Sequence, residues 1–527
     1  MHRRRNERVA SAPPVCLSGR DLTIDQIEAI VCRAGARVTL ADGSLADMRR
    51  SHQFLQGRLR QEVIYGVNTG FGPMARHVLG HPQLVELQYN LIRSHAVGIG
   101  DPVEPRFVLA AMIARLNALA RGTSGVSESL ARALERFVNL RIIPVVPEHG
   151  AVGASGDLVQ LAHIGAAIIG EGDVFYRGRR SRAGAVLRRL GFRPHRLGPK
   201  EGLSLINGTS FMTGIAALLC ADAGRLVDLA TQLGALAMEV VGAFDDGMGA
   251  PLSALRPHPG QVAVAARLRA LLQSSTRLRD RRATLGRTAV TTEPRDLDAP
   301  VQEVYSIRCL PQILGPVYDT VTAVARTVGT ELNSVTDNPI VLWKQRRVIH
   351  GGNFHGDYIA SGMDRLKTAM VKLTMLSERR INFCLSPHVN RLFPPFLNLG
   401  TLGLNLGLQG LQFVATSATA QSQTLSFPQH LHSIPCNGDN QDVVSMGTDA
   451  ALLTHKVIEN AFVVAGVEAV VLAQAVDHLG TADGLSESSR RLYQRVRTVC
   501  PVIRKDRFMD HQMEAVRRAV RQRPADV

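Results

Sequence analysis

Several marks of large protein classes are missing from this sequence. It has only seven cysteines, at 16, 32, 220, 309, 384, 436 and 500. They are odd in number, widely spaced and without a C-x-x-C pair. That argues against a disulfide framework and a cysteine zinc site, and fits a reducing compartment. Aromatic residues make up 5%, with one Trp, and none interleaves regularly with the basic clusters as a base-stacking surface would need. There is no G-x-x-x-x-G-K-[ST] and no G-x-G-x-x-G, so a nucleotide cofactor is unsupported. There is no H-E-x-x-H, and the H-x-H of His430 and His432 is too weak to suggest a metal. The longest apolar stretch, 461–475, is short for a membrane span and carries Glu468, so it reads as a buried helix. The basic N-terminus leads into Pro13 and Pro14 rather than an apolar segment. No secretory signal is expected, and a cytoplasmic location follows.

What is present is a large supply of core. Hydrophobic residues reach 45% and charged residues 20% of 527, the balance of a folded enzyme rather than a disordered chain. The net charge of +16 is scattered over Arg3, Arg4 and Arg5, over 179–182, over 277–282 and over 517–523. Scattered clusters read as solvated loops and ends, so no nucleic-acid or membrane partner is expected. Apolar spacing predicts helices at 84–95, 105–121, 158–169, 211–242, 312–333, 356–384, 402–425, 447–478 and 486–497. The stretch 63–72 reads as a strand or extended segment entering a loop, and 171–200 as a surface excursion with a short hairpin. The expected fold is mainly α: a long-helix bundle with a smaller mixed N-terminal region carrying the active-site loops. Expected divisions are a flexible arm at 1–20, the loop-bearing region at 21–210, the bundle at 211–485 and a helical tail at 486–527.

One loop carries chemistry. Gly150-Ala151-Val152-Gly153-Ala154-Ser155-Gly156-Asp157 is nearly free of side-chain bulk, and glycine opens backbone geometries closed to other residues. In such a loop the Gly156 nitrogen can attack the Ala154 carbonyl. Loss of water closes a five-membered ring, and dehydration of Ser155 leaves an exocyclic methylidene, a strong electrophile. A serine-hydrolase reading fails because Asp157 stands where a nucleophile elbow needs glycine. The tripeptide alone is weak evidence, since Ala360-Ser361-Gly362 repeats it inside a helical pattern that would commit its amides.

The loop and its continuation through His163 resemble the signature of the histidine, phenylalanine and tyrosine ammonia-lyases. Further blocks match in family order: 65–72, 205–210, 305–312, Asp337-Asn338-Pro339, 353–356 and Asn440-Gln441-Asp442. The resemblance implies removal of ammonia from an L-amino acid to give a trans-2,3-unsaturated acid. It implies a 4-methylidene-imidazol-5-one formed from Ala154, Ser155 and Gly156, with no metal or nucleotide, and a homotetramer with shared active sites. Tyr65 matches the family's base; a phenol's ordinary pKa of about 10 means that the role needs help. Arg308 is expected on the substrate carboxylate. Asn207 and Tyr305 are expected to support the electrophile and the substrate, and Asn338 and Gln441 to line the site. Phe354 is expected beside the substrate ring, with Gly72 and Asn440 among the binding residues. Without the resemblance each would read as an ordinary buried polar or core residue.

Ser94 and His95 lie on a segment matching the family's selectivity helix, where a His can bond a phenol hydroxyl or an imidazole. The longer context resembles bacterial tyrosine ammonia-lyases, nearest those linked to aryl-polyene and flexirubin-type pigments. The expected substrate is therefore L-tyrosine and the product p-coumarate. Gln421 departs from the glutamate usual in the histidine enzymes, which disfavours histidine and puts the rate in question. Histidine ammonia-lyase, an aminomutase, and a non-catalytic basic protein keeping the fold stay open at this point.

Overall fold

The computed structural model describes residues 13–285 and 301–522. Arg3, Arg4, Arg5 and Arg523 lie outside the described residues. Twenty α-helices dominate these segments, beside short strands in two- and three-stranded sheets. The expectation of a mainly α fold holds. Eight helices recur below: α1 (Leu84–His95), α2 (Pro105–Ala120), α3 (Leu158–Ile168), α4 (Ser210–Val241), α5 (Leu310–Leu332), α6 (Asp357–Leu385), α7 (Gln409–Thr424) and α8 (Gly447–Leu479).

The chain forms two compact units, each assembled from separated stretches. The first comprises Met1–Ala221, Val324–Asp364 and Pro428–Leu452; the second comprises Asp222–Ala323, Arg365–Phe427 and Leu453–Val527. The consecutive segments read from the sequence divide the chain on different grounds. In the first unit α2 is mostly apolar and buried on all faces, every residue from Phe107 to Ala120 included. Such a helix belongs at the centre of a core. Pro105 at its first position has no N–H to leave unpaired there. Helices α1 and α3 pack on each other and on the short helix Glu201–Ile206. In the second unit Pro259–Leu272 packs on Glu487–Val499, which packs on Asp510–Arg521.

Helices α4 and α8 are long and apolar enough to cross a membrane, but 89% of each apolar window is buried within the protein. Glu468 in α8 explains why that stretch belongs in a protein core. It is fully buried and bidentately paired with Arg380 of α6, itself 1% exposed. Breaking such a pair by removing one partner typically costs about 3–5 kcal/mol.

Three local expectations are corrected. Val15–Leu17, inside the supposed flexible arm, is a strand paired in parallel with Val38–Leu40. Residues 63–72 form a turn and no strand. Asn68 holds it by accepting from the Ile64 N–H (2.7 Å) and donating to the Glu62 and Leu59 carbonyls. Helix α7 begins at Gln409, not near 402. Gly403 and Gly407 have φ of +84° and +60°, and a Cβ on Gly407 would stand 2.9 Å from the Phe396 carbonyl oxygen. Their spacing imitates a helix face, but they serve turns. The hairpin expected within 171–200 is present, Asp173–Tyr176 pairing with Arg179–Arg182. Arg180 and Arg182 pair there with Asp173, while Arg517 and Arg521 pair with Glu459. Much of the basic charge is thus locally balanced.

Candidate active site

Tyr65 opens the turn of 65–68, which the Asn68 side chain holds in place. The Gly66 N–H donates to the Thr69 hydroxyl (2.9 Å), and the chain returns so that the Gly72 N–H donates to the Tyr65 phenol oxygen (3.0 Å). Phe71 packs edge-on against the Tyr65 ring at 6.2 Å. Gly66 is required here: at φ +65° an added Cβ would lie 2.6 Å from the Phe71 ring.

The small-residue loop lies in the same unit. Its backbone is bonded to neighbouring segments: the Met446 N–H donates to the Val152 carbonyl, and the Gly356 N–H and Ser445 hydroxyl donate to the Gly153 carbonyl. The Ser155 carbonyl accepts from Asn207 Nδ2 (2.9 Å) and from the Gly208 N–H (3.3 Å). Gln441 Nε2 donates to the Ser155 hydroxyl at 2.8 Å. Gly156 has φ +71°, and a Cβ on it would meet the Gly208 carbonyl oxygen at 2.0 Å. Among the described residues no partner is seen for the Gly156 N–H. The nitrogen that must attack in a self-condensation is therefore uncommitted.

Beneath the loop, fully buried Asp157 accepts from the Thr448 hydroxyl (2.7 Å) and the Met212 N–H (2.9 Å), the latter in the first turn of α4. Burial pushes its carboxyl up to about 7 despite these bonds. A group of buried charges fixes the Asn207 side of the site. Arg115, in the middle of α2, donates to the Ser204 and Asn207 carbonyls, the latter at 2.6 Å. Lys200 donates to the Ser124 carbonyl, the Ser204 hydroxyl and the Asp337 carboxylate. Burial lowers the pKa of both cations, with Asp337 opposing. Asn338, next to Asp337, accepts from the Gly351 N–H.

These loops enclose a cavity of about 500 Å³. Helix α1 supplies one wall through Leu87, Asn90, Leu91, Ser94 and His95, the three-and-four spacing of one helix face. His95 Nδ1 faces the Leu91 carbonyl at 2.9 Å. A carbonyl only accepts, so Nδ1 carries the proton and Nε2 is left as an acceptor. Burial lowers the imidazole's pKa and favours this neutral form.

Of the residues expected at the site, Tyr65, Gly72, Ser94, His95, Ser155, Gly156, Asn207, Asn338, Phe354 and Gln441 line this cavity. Ala154 is buried beside Ser155 without lining it, and Asn440 is exposed on the neighbouring turn. Tyr305, Arg308 and Gln421 belong to the second unit and are not among the lining residues. Tyr305 is 68% exposed with the Arg308 guanidinium over its ring, and Arg308 Nε has no partner among the described residues. Gln421 is exposed on α7, its carbonyl accepting from Asn460. Any effect it has on rate does not come through this cavity's lining. Among the described residues no Asp, Glu, Lys or Arg lines the cavity. Phe71, Asn90 and Asn437 line it without having been foreseen. Asn90 and Phe71 lie in matched blocks and could have been read; Asn437 carries no sequence signal of its own.

The residues present fit a methylidene-imidazolone. Ser155 has a held carbonyl and hydroxyl, Gly156 a free amide and a backbone angle closed to side chains, and Asn207 Oδ1 is buried without a partner among the described residues. Residues 22–498 match the family model described as aromatic amino acid lyase. A tyrosine ammonia-lyase of Cupriavidus metallidurans is 38% identical over 97% of both chains. A histidine ammonia-lyase of Staphylococcus aureus is 36% identical over 96% of this chain and 97% of its own. The crystal structure of a tyrosine aminomutase from Streptomyces globisporus superposes with a TM-score of 0.93, at 36% identity over 97% of both chains.

Proposed function

Because the chain belongs to the aromatic amino acid lyase family, we propose that it removes ammonia from L-tyrosine to give trans-p-coumarate, with an electrophile condensed from Ala154, Ser155 and Gly156. The observation that carries the tyrosine reading is His95. Its Nε2 is an acceptor on the cavity wall, suited to a phenol O–H. A phenylalanine ring would leave that acceptor unpaired, which disfavours it. A histidine side chain could also donate to Nε2, but among the described residues no carboxylate lines the cavity to help hold an imidazole.

Once condensed, the group held by these residues would supply an electrophilic carbon. Tyr65 takes the β-proton, its oxygen held by the Gly72 amide. Asn207 and the Gly208 N–H hold the Ser155 carbonyl, and Phe354 packs beside the substrate ring. Among the described residues of one protomer, no charged lining side chain is there to meet the amino acid's carboxylate. That gap supports a homotetramer in which Arg308 and Tyr305 of a second copy complete the site. Seven cysteines with no disulfide among them support a reducing, cytoplasmic setting.

The test is to incubate the purified protein with L-tyrosine and follow p-coumarate by its ultraviolet absorbance, with L-histidine and L-phenylalanine in parallel. Steady coumarate is expected; urocanate alone would overturn the substrate assignment. Similarity to tyrosine aminomutases supports a second reading, in which ammonia is re-added at the β-carbon, and β-tyrosine in the product mixture would establish it. His95→Phe is expected to move the preference from tyrosine toward phenylalanine by on the order of tenfold or more in kcat/KM. A monomer by light scattering with full activity would refute the shared site.

A further inference from the structure

The turn that carries Gln441 is built more tightly than a cavity wall requires. Cys436 and Gln441 exchange backbone hydrogen bonds in both directions, at 3.1 and 3.2 Å. Between them Asn437, Gly438 and Asp439 all adopt left-handed angles, φ +56°, +59° and +61°. Asn and Asp tolerate that region better than other side chains do, so the sequence holds a closed five-bond reversal. The Asn437 side chain closes over Gly72, where a Cβ would meet its amide at 2.6 Å.

Within this turn the Cys436 thiol donates to Gln441 Oε1 at 3.2 Å. That contact engages the carbonyl end of the amide, the only one of its two ends that can accept from the S–H. Burial raises the Cys436 pKa and keeps it a donor. The NH2 end is then turned to Ser155 Oγ, at 2.8 Å. On the other side of the same residue, Asn207 Nδ2 and the Gly208 N–H converge on the Ser155 carbonyl oxygen.

We propose that Gln441, oriented by Cys436, is the donor that releases the Ser155 hydroxyl when the loop matures. The inference rests on the reading of Ala154-Ser155-Gly156 as a self-condensing electrophile. In the dehydration the Ser155 Cα–H bond breaks and its electron pair moves toward the carbonyl. The Asn207 and Gly208 donors stabilise the charge that develops on that oxygen. The Cα–Cβ double bond forms as the Cβ–Oγ bond breaks. The departing hydroxide, solvated by Gln441 Nε2, takes up the proton released from Cα, so one water leaves and no co-reactant is needed. Gln441 transfers no proton. It lowers the cost of charge on the leaving oxygen, and Cys436 is a positioning residue acting through it.

Intact mass of freshly synthesised full-length protein, followed with time, tests this without reference to turnover. The parent is expected to lose two waters. Gln441→Leu, matched in shape and without a donor, is expected to lose its second water slower by on the order of tenfold or more. Cys436→Ala is expected to slow the same step less, and Cys436→Ser, which restores a donor, to recover it. Circular dichroism and thermal melting identify variants that fail to fold. For a folded Gln441→Leu, loss of both waters at the parental rate would overturn the proposal. A parent that keeps both waters would instead overturn the electrophile reading on which it rests.

Discussion

The chain contains Ala-Ser-Gly twice, and the two copies differ in everything except sequence. Gly156 in the first has φ +71°, an N–H with no partner among the described residues and no room for a Cβ. Gly362 in the second lies inside α6, where an added Cβ would find only Val324 at an ordinary 3.5 Å. The Ser155 carbonyl and hydroxyl are each held by side chains from elsewhere in the fold. In α6 the backbone groups bond within the helix. Three residue types do not specify the chemistry; a free nitrogen, a left-handed glycine and imported donors do. Swapping atoms at matched positions should break the contrast most sharply at the serines. Ser155→Ala is expected to lower elimination by on the order of a thousandfold or more and, by intact mass, to fall short of its own sequence mass by fewer waters than the parent does. Ser361→Ala is expected to stay within about twofold of the parent.

The glycines come next. Gly156→Ala forces a methyl into the Gly208 carbonyl and a left-handed angle on alanine. Activity is expected to fall by on the order of a hundredfold, because displacing a reacting group by an ångström has that effect. A variant that condenses and turns over normally would show that the loop's geometry is not what separates the copies.

How much of this contrast was legible in the sequence differs from element to element. The second copy's helix was readable from apolar spacing, and the first copy's loop from its lack of side chains. Helix α1 was readable too, and with it the placement of Ser94 and His95. The 402–408 segment was not, because Gly403, Gly407 and Gly410 fall at helical intervals while the first two hold left-handed turns; periodicity carries no sign of φ. The 63–72 segment reads as extended from its β-branched start, but the Asn68 side chain bends it. The role of Arg115 was not legible, because its partners are backbone carbonyls some 90 residues away, which no motif records. Which residues line the cavity could not be read in full either, since Arg308 and Gln421 belong to matched or notable positions and are not among its lining residues.

The residue following each tripeptide separates the copies again. Met363 follows the second, while Asp157 follows the first, buried and raised to about 7 from an ordinary 3.8. A carboxyl raised on folding favours the folded state fully only below its unfolded pKa, and this contribution is lost as pH rises through the folded value. The parent's stability relative to Asp157→Asn is therefore expected to fall between about pH 4 and pH 7, by at most about 4 kcal/mol. Urea denaturation of both proteins across that range measures it, and a difference that does not change with pH would show that Asp157 does not titrate as its burial implies.

The smallest effect concerns the helical copy alone. Gly362 pays an entropic cost for its place in α6, and its angle is one that alanine adopts freely. A Cβ there meets one valine methyl at ordinary contact distance and no backbone atom. Gly362→Ala should therefore stabilise the protein, by about 0.5–1 kcal/mol, with elimination unchanged. The same chemical change, one added methyl on the glycine of Ala-Ser-Gly, is thus expected to disable the enzyme at 156 and to raise its melting temperature at 362. A destabilised Gly362→Ala would mean that α6 needs close backbone packing at that point, and the second copy would then be as constrained as the first, for a different reason.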